Sequence, residues 1–351
     1  MRAHAVQPVL LWAMSLCMAA VPAKACDTLP QVVQPPDSIG PLGISQKGVL
    51  SDFQDQVLSR SVSQAVVPAG AATGFPTGRL GQTWHAPYVS LQPTPWPSYE
   101  SRSAEGSVLA SGSYNFPRRI SGGSLQAGIF GGESWVRTTY NPASTVPGAK
   151  ASNNSYLAGG YVLYGSGSNY VMNTVSIFEG TTGLTGEVFT AGSSSYGTHG
   201  FVDTVVAGHV FSLNGMFRPL NLDVRGGLLY SDAQGDAYAD GAGRIYRQGT
   251  EEWTASLSAT LFRDFAIWGG DTVRPYVKTG LKEQLSYLNK VEETFQGVST
   301  SYRFGQSPTL GGAEIGFDYI RAGVTVSGAV FGEVASDQRA LGGRLGAKIA
   351  F

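Results

Sequence analysis

The sequence predicts an all-β chain that closes into an antiparallel up-and-down transmembrane β-barrel, with twelve strands preceded by one short helix. Three observations carry this. The N-terminus is an export signal, the chain alternates with period two from about residue 106 to its end, and the connections between strands alternate between long and short. Composition agrees: 47 Gly, 16 Tyr and 16 Phe stand against only 14% charged residues. Glycine without a collagen period, together with many aromatics, suits β-structure with small residues where strands crowd. A formal net charge of -1 offers no field for nucleic acid or acidic substrates.

Residues 1–25 form a secretory signal peptide. Arg2 and His4 precede the apolar run VLLWAMSLCMAAV (Val9 to Val21), which PAKA follows, placing cleavage after Ala25. The run is shorter than the ~20 residues a permanent membrane helix needs. Cys17 leaves with the signal and Cys26 becomes the first mature residue, so no internal disulfide framework is expected. Ala23-Lys24-Ala25 ahead of Cys26 argues against lipid attachment.

Residues 26–50, rich in Pro, Gln and Ser, form a flexible lead. Residues 51–67 (SDFQDQVLSRSVSQAVV) form the helix. Ser51 caps it, Asp52 and Asp55 suit its positive end, and Phe53, Val57, Leu58 and Val62 make an apolar stripe. Pro68 and Gly70 end it.

The barrel occupies residues 79–351. Segments near 124–136, 154–164, 168–178, 200–213, 219–231, 251–263, 272–287, 309–319, 320–334 and 339–351 read as strands, several alternating cleanly and 154–178 less well. In EWTASLSATLF, Trp253, Ala255, Leu257, Ala259 and Leu261 share one face, and Thr254, Ser256, Ser258 and Thr260 the other. Two further strands, about 80–92 and 107–116, preserve the alternation of turns. Connections at 137–153, 179–199, 232–250 and 288–308 are long, GSG (165–167), NGMFR (214–218) and the junction at Asp318–Ile320 are short, DFAIWGGD (264–271) is intermediate, and only the last connection, near Ser336–Gln338, breaks the rule by being short. Long connections at one end and tight turns at the other mark a meander, as in membrane barrels.

Polarity follows from that topology. In a soluble barrel the charged parity would face outward. In a membrane barrel the apolar parity meets lipid, which makes Asp223, Arg225, Lys278, Arg321, Arg344 and Lys348 lumen-facing. The final strand GGRLGAKIAF presents Leu345, Ala347, Ile349 and Phe351 on the lipid face and ends on an aromatic ring suited to an interface. With no water in the bilayer core, every backbone group must pair, so the sheet closes.

RLGAKIAF resembles the C-terminal signal of bacterial outer-membrane proteins. That resemblance implies recognition of Leu345, Ala347, Ile349 and Phe351 by the barrel-assembly machinery. TVRPYVKTGLKEQ (Thr272 to Gln284) and the closing GVTVSGAVFGEV…LGGRLGAKIAF resemble the translocator (β-barrel) domain of autotransporters. The resemblance covers roughly residues 106–351. It implies twelve strands, a helix threaded through the lumen, a location in the bacterial outer membrane among its lipids, and a monomer forming a polar-lined, plugged pore. The chain departs from that family in its cargo, because only 26–50 precede the helix. Self-cleaving members cut beside asparagine in the lumen helix, and Asn153-Asn154 lies in a different context.

No catalytic, metal or cofactor site emerges. His209 and Asp203 share a parity but are ~20 Å apart along one strand. Asp232, Asp236 and Asp240 lack the spacing of a calcium loop. Two alternatives remain open from sequence alone: a porin or surface-adhesion barrel working through long loops, and a soluble exported all-β binding protein.

Overall fold

The computed structural model describes residues 54, 57, 58, 81–85, 89–91, 101–116, 122–140, 150–185, 193–213, 220–239, 245–267, 270–295, 298–304, 309–321, 324–335 and 339–350. All belong to the compact unit Pro35–Phe351. The signal peptide, Cys26, Asp240 and Phe351 lie outside the described residues. Of the helix over 51–67, only Gln54, Val57 and Leu58 are described, and all three are helical and buried.

The strands in chain order are β1 (Gly81–His85), β2 (Val89–Leu91), β3 (Ser101–Asn115), β4 (Ser124–Tyr140), β5 (Lys150–Ser166), β6 (Asn169–Thr185) and β7 (Ser193–Leu213). They continue with β8 (Leu220–Ala239), β9 (Ile245–Phe262), β10 (Phe265–Ala266), β11 (Thr272–Phe295), β12 (Val298–Phe304), β13 (Thr309–Arg321), β14 (Val324–Val334) and β15 (Arg339–Ala350). Each long strand pairs antiparallel with its neighbours in the chain. The ring closes because β1 pairs with β15 on one side and β3 on the other, as Gly81↔Ala350 and Gly81↔Ser113. β2 repeats this higher up, Leu341↔Leu91 and Leu91↔Ala104. Counting β1 and β2, which both lie between β15 and β3, as one strand, and setting aside the short β10 and β12, the wall holds the twelve expected strands.

The tight turns at 167–168 and 322–323 lie at one end of the wall, while the connection between β14 and β15 is short at the other end, as the sequence indicated. Gly167, at φ 58, supplies the left-handed backbone that the turn between Ser166 and Asn169 requires. Two boundaries differ from the sequence reading. The turn expected at Asp318–Ile320 lies at 322–323, between Arg321 and Val324. The long connections are largely strand: β7 runs 21 residues and β11 runs 24. A tilted strand crosses lipid in ~9–11 residues, so the wall continues well past an apolar band on the side of the long connections.

That band is drawn by the outward residues. Ile129, Ile177, Leu257, Val277, Ile315, Val330 and Leu345 are exposed. Phe201, Tyr230 and Trp253 form a belt on adjacent strands, with ring centroids 5.4 and 4.7 Å apart. Near the opposite rim stand Tyr114 with Phe116 and His209 with Phe211. The step from Phe201 to Phe211 on β7, at ~3.3 Å per residue and ~40° tilt, spans ~25 Å. An outer-membrane barrel carries an apolar band of that height.

Inside, aromatic rings lie flat over glycines of the next strand. A Cβ on Gly128 would collide with Tyr161, on Gly316 with Tyr276, and on Gly342 with Phe331. The missing side chain is what lets each ring lie against the neighbouring backbone.

Candidate functional site: the lumen

The inner wall has two faces. Among the described residues, β4 to β7 turn no charged side chain inward. They present hydroxyls, amides and aromatic or aliphatic groups, among them Gln126, Ser134, Asn153, Ser155, Tyr161, Met172, Thr174 and Ser176, all buried. Among the described residues, the inward charges lie from β8 through β15. Tyr170 donates to Asp223 Oδ1 at 2.7 Å, and Arg225 Nε donates to Asp223 Oδ2 at 2.6 Å. Arg344 pairs with Glu314, which also accepts from Tyr276 Oη at 2.6 Å. Lys282 Nζ lies 2.6 Å from Glu333. Near the short-turn rim Arg274 binds Asp264 through two nitrogens, at 2.5 and 2.8 Å, beneath the Phe262 ring.

These pairs arise from strand geometry. Inward positions recur every second residue, so Asp223 and Arg225 are successive inward residues of β8. Glu314 reaches Arg344 diagonally across β14, where Phe331 stands opposite Glu314 and the small Ala329 stands opposite Arg344. The buried carboxylates of Asp223 and Glu314 each have an opposite charge and a further hydrogen bond, as burial of ions demands. Beyond the apolar band, on β11, a hydrogen bond from Lys290 holds the Glu292 carboxyl below the usual carboxylate range.

Of the residues expected to face the lumen, Asp223, Arg225 and Arg344 are buried on the inner wall, and Lys278 lines the inner cavity. Lys348 lies on β15, but its side chain is not described. Arg321 lies elsewhere: it ends β13 on the outward parity of Ile315 and Phe317, with its exposed guanidinium 3.7 Å from Asp271 at the short-turn rim. The cause is the turn at 322–323, which separates Arg321 from Thr325 and Ser327 and reverses its parity. On the outer face Leu345 is exposed and Ala347 is partly covered. The side chain of Ile349 is not described.

Glu252, Glu314, Asp318 and Glu333 were not anticipated as inner-wall residues. Parity could have found them, since Glu314 and Asp318 are four apart on one strand. Outside the lumen, Asn173 donates to Asp203 at 2.7 Å and His209 Nδ1 meets Asn169 at 2.7 Å, so neither Asp203 nor His209 serves the other. Among the described residues no group of three or more His, Cys, Asp or Glu is placed to hold a metal ion.

The buried helical residues meet this lumen. Gln54 Nε2 donates to Thr174 Oγ1, on the uncharged wall, at 3.1 Å. Gln54 and Leu58 border a cavity of about 130 Å³ whose other lining includes Arg225, Lys278, Glu314 and Phe331.

A closed twelve-stranded β-barrel with a polar inner wall and an apolar outer band is a transmembrane barrel in architecture. Its solved likenesses sharpen the class. The β domain of the Bordetella autotransporter BrkA superposes with a TM-score of 0.60 at 16% identity, over 77% of this chain and 99% of that one. The transport unit of the Escherichia coli autotransporter AIDA-I gives 0.58 at 12%, over 84% and 97%. The translocator domain of NalP from Neisseria meningitidis gives 0.55 at 14%, over 87% and 98%. The fold is therefore that of the autotransporter translocators. No protein-family model matches the sequence, and no curated protein matches it significantly.

Proposed function

We propose that the chain is exported by residues 1–25, inserts into the bacterial outer membrane as a monomer, and forms a polar-lined pore that the helix over 51–67 occludes. The observation that carries it is the inverted polarity of the wall joined to the Gln54–Thr174 hydrogen bond, which ties a helical residue to the inner face. The lipid-facing residues remove the need for a soluble partner on the outer face, and closure within one chain removes the need for a second subunit. Leu345, Ala347, Ile349 and Phe351 act as the signal read by the barrel-assembly machinery.

Single-channel conductance in planar bilayers tests the occlusion. Residues 26–351 are expected to stay closed and residues 79–351 to conduct. Equal conductance from both would replace the occluded pore with an open porin.

A further inference from the structure

Two polar side chains stand on the face of the wall that meets lipid. On β7 the outward parity reads Phe201, Asp203, Val205, and on β6 it reads Val171, Asn173, Val175, Ile177. Every apolar member of both rows is exposed. Asp203 lies two residues inside Phe201 of the belt, ~5 Å deeper at ~40° tilt, and Asn173, in register with Val205, lies ~10 Å deeper. Both sit within the apolar band.

Their hydrogen bonding leaves acceptors over. Asn173 Nδ2 donates to Asp203 Oδ1 at 2.7 Å and to the Thr204 carbonyl at 3.3 Å, which uses both of its N–H groups. Among the described residues no group donates to Asp203 Oδ2 or Asn173 Oδ1. Tyr230 stands opposite Asp203 in register, but its hydroxyl donates to Glu251. Hydrocarbon supplies no donor, and a polar group left unpaired there is costly. Ionisable groups at membrane depth therefore turn inward as a rule, or mark a site. This pair turns outward, so what meets it must be apolar in bulk and carry a donor.

The surface beside the pair has relief to match. Ala158 and Gly160 on β5 face Ile177 and Val175 in register, and over them opens an outer depression of about 630 Å³ that Val162 and Asn173 border. We propose that this face binds a membrane lipid whose acyl region carries a hydroxyl or amide N–H close to its head. The chain lies over Ala158 and Gly160, and the donor reaches Asp203 and Asn173. Depth selects this chemistry: a headgroup stays at the level of Phe201 or above, whereas a donor within a few carbons of the head reaches the ~5–10 Å at which the two acceptors lie. A second copy of this chain is a poorer occupant, because a two-fold contact through this face would set the same acceptors against each other. The proposal rests on the transmembrane reading, whose own failure would show separately, as a barrel that inserts into vesicles of no composition.

The test compares sphingomyelin with phosphatidylcholine of matched chain length. The two share a phosphocholine head, and sphingomyelin adds a hydroxyl and an amide N–H just beneath it. Mature protein is taken from nanodiscs of an equimolar mixture, and its retained lipid is counted by native mass spectrometry. The parent is expected to favour sphingomyelin ~5-fold, the worth of about one net hydrogen bond. The Asp203→Leu, Asn173→Leu double variant is expected to retain the two lipids alike, and heat-modifiable mobility checks that it is folded. No preference in the parent, or the same preference in the variant, overturns the site. A second readout is the guanidinium unfolding midpoint in vesicles. Adding sphingomyelin should raise it for the parent and not for the variant, since a ligand of the folded state stabilises that state; equal shifts overturn the site as well. A parent without lipid preference that instead crosslinks to a second copy through Ile177→Cys, in a Cys26→Ala background, would replace the lipid with self-association.

Discussion

The inverted polarity of the wall makes a quantitative demand on Leu257. This side chain lies midway along β9 between Trp253 at the belt and Leu261 near the other rim, and is 58% exposed on the outer face. Four residues in either direction, at ~3.3 Å each and ~40° tilt, put it ~10 Å from both edges of the band. Replacing it with arginine is expected to cost about 2–4 kcal/mol, the penalty for a cation on the lipid face near the bilayer midplane. The same replacement at Leu261 should cost about 0–1 kcal/mol, because the guanidinium there reaches the interface. The assay is reversible guanidinium unfolding of the barrel in phospholipid vesicles, following tryptophan fluorescence, with both variants beside the parent. Equal costs at the two positions would refute the placement of the band. No cost at Leu257 would refute the membrane itself, since an exposed site in water tolerates arginine within about 0.5 kcal/mol.

Further outcomes follow from the inner wall and the final strand. Gly342→Val, whose side chain would enter the Phe331 ring, should destabilise by about 1–3 kcal/mol, and adding Phe331→Ala should recover part of the loss in the same unfolding assay. Arg344→Met leaves the Glu314 carboxylate buried without its cation and should cost about 3–5 kcal/mol. Combining it with Glu314→Gln should restore more than half, and an additive double mutant would deny the pair. Deleting Phe351 should slow the appearance of the heat-modifiable folded band in cells. The midpoint of chain refolded in detergent should not change; a shifted midpoint would make the ring structural rather than a signal.

Where the strands lie was legible because each crosses between two different media. Trp253 to Leu261 alternate with Thr254 to Thr260, and such a segment has one register. Beyond the belt that contrast disappears. Ser152 and Asn154 face outward on β5 while Asn153 and Ser155 face inward, so polar residues occupy both parities and a strand looks like a loop. The weak alternation of 154–178 has the opposite cause. Leu157, Tyr161, Leu163 and Met172 are apolar on the inner face because the rings lie over glycines and the aliphatic groups pack among them. Arg321 misled because a basic residue beside a short turn has no parity of its own until the turn is placed. The ion pairs could not be assigned from one strand, since Glu314 finds Arg344 only through the register of β14.

The division of the inner wall bears on what a pore of this design can do. A channel that selects ions by charge presents a ring or stripe of one sign. Here six of the inner charges are offset in pairs close at hand: Asp223 by Arg225, Glu314 by Arg344, Glu333 by Lys282. Such pairs set up short-range dipoles rather than a field of one sign extending along the lumen. The wall of β4 to β7, with no inward charge, gives a helix a surface on which Gln54 can bond to a hydroxyl without stripping water from an ion. The pore opened by removing residues 26–78 should therefore conduct with weak preference between potassium and chloride. A reversal potential near zero in a salt gradient is the outcome that this pairing of charges requires.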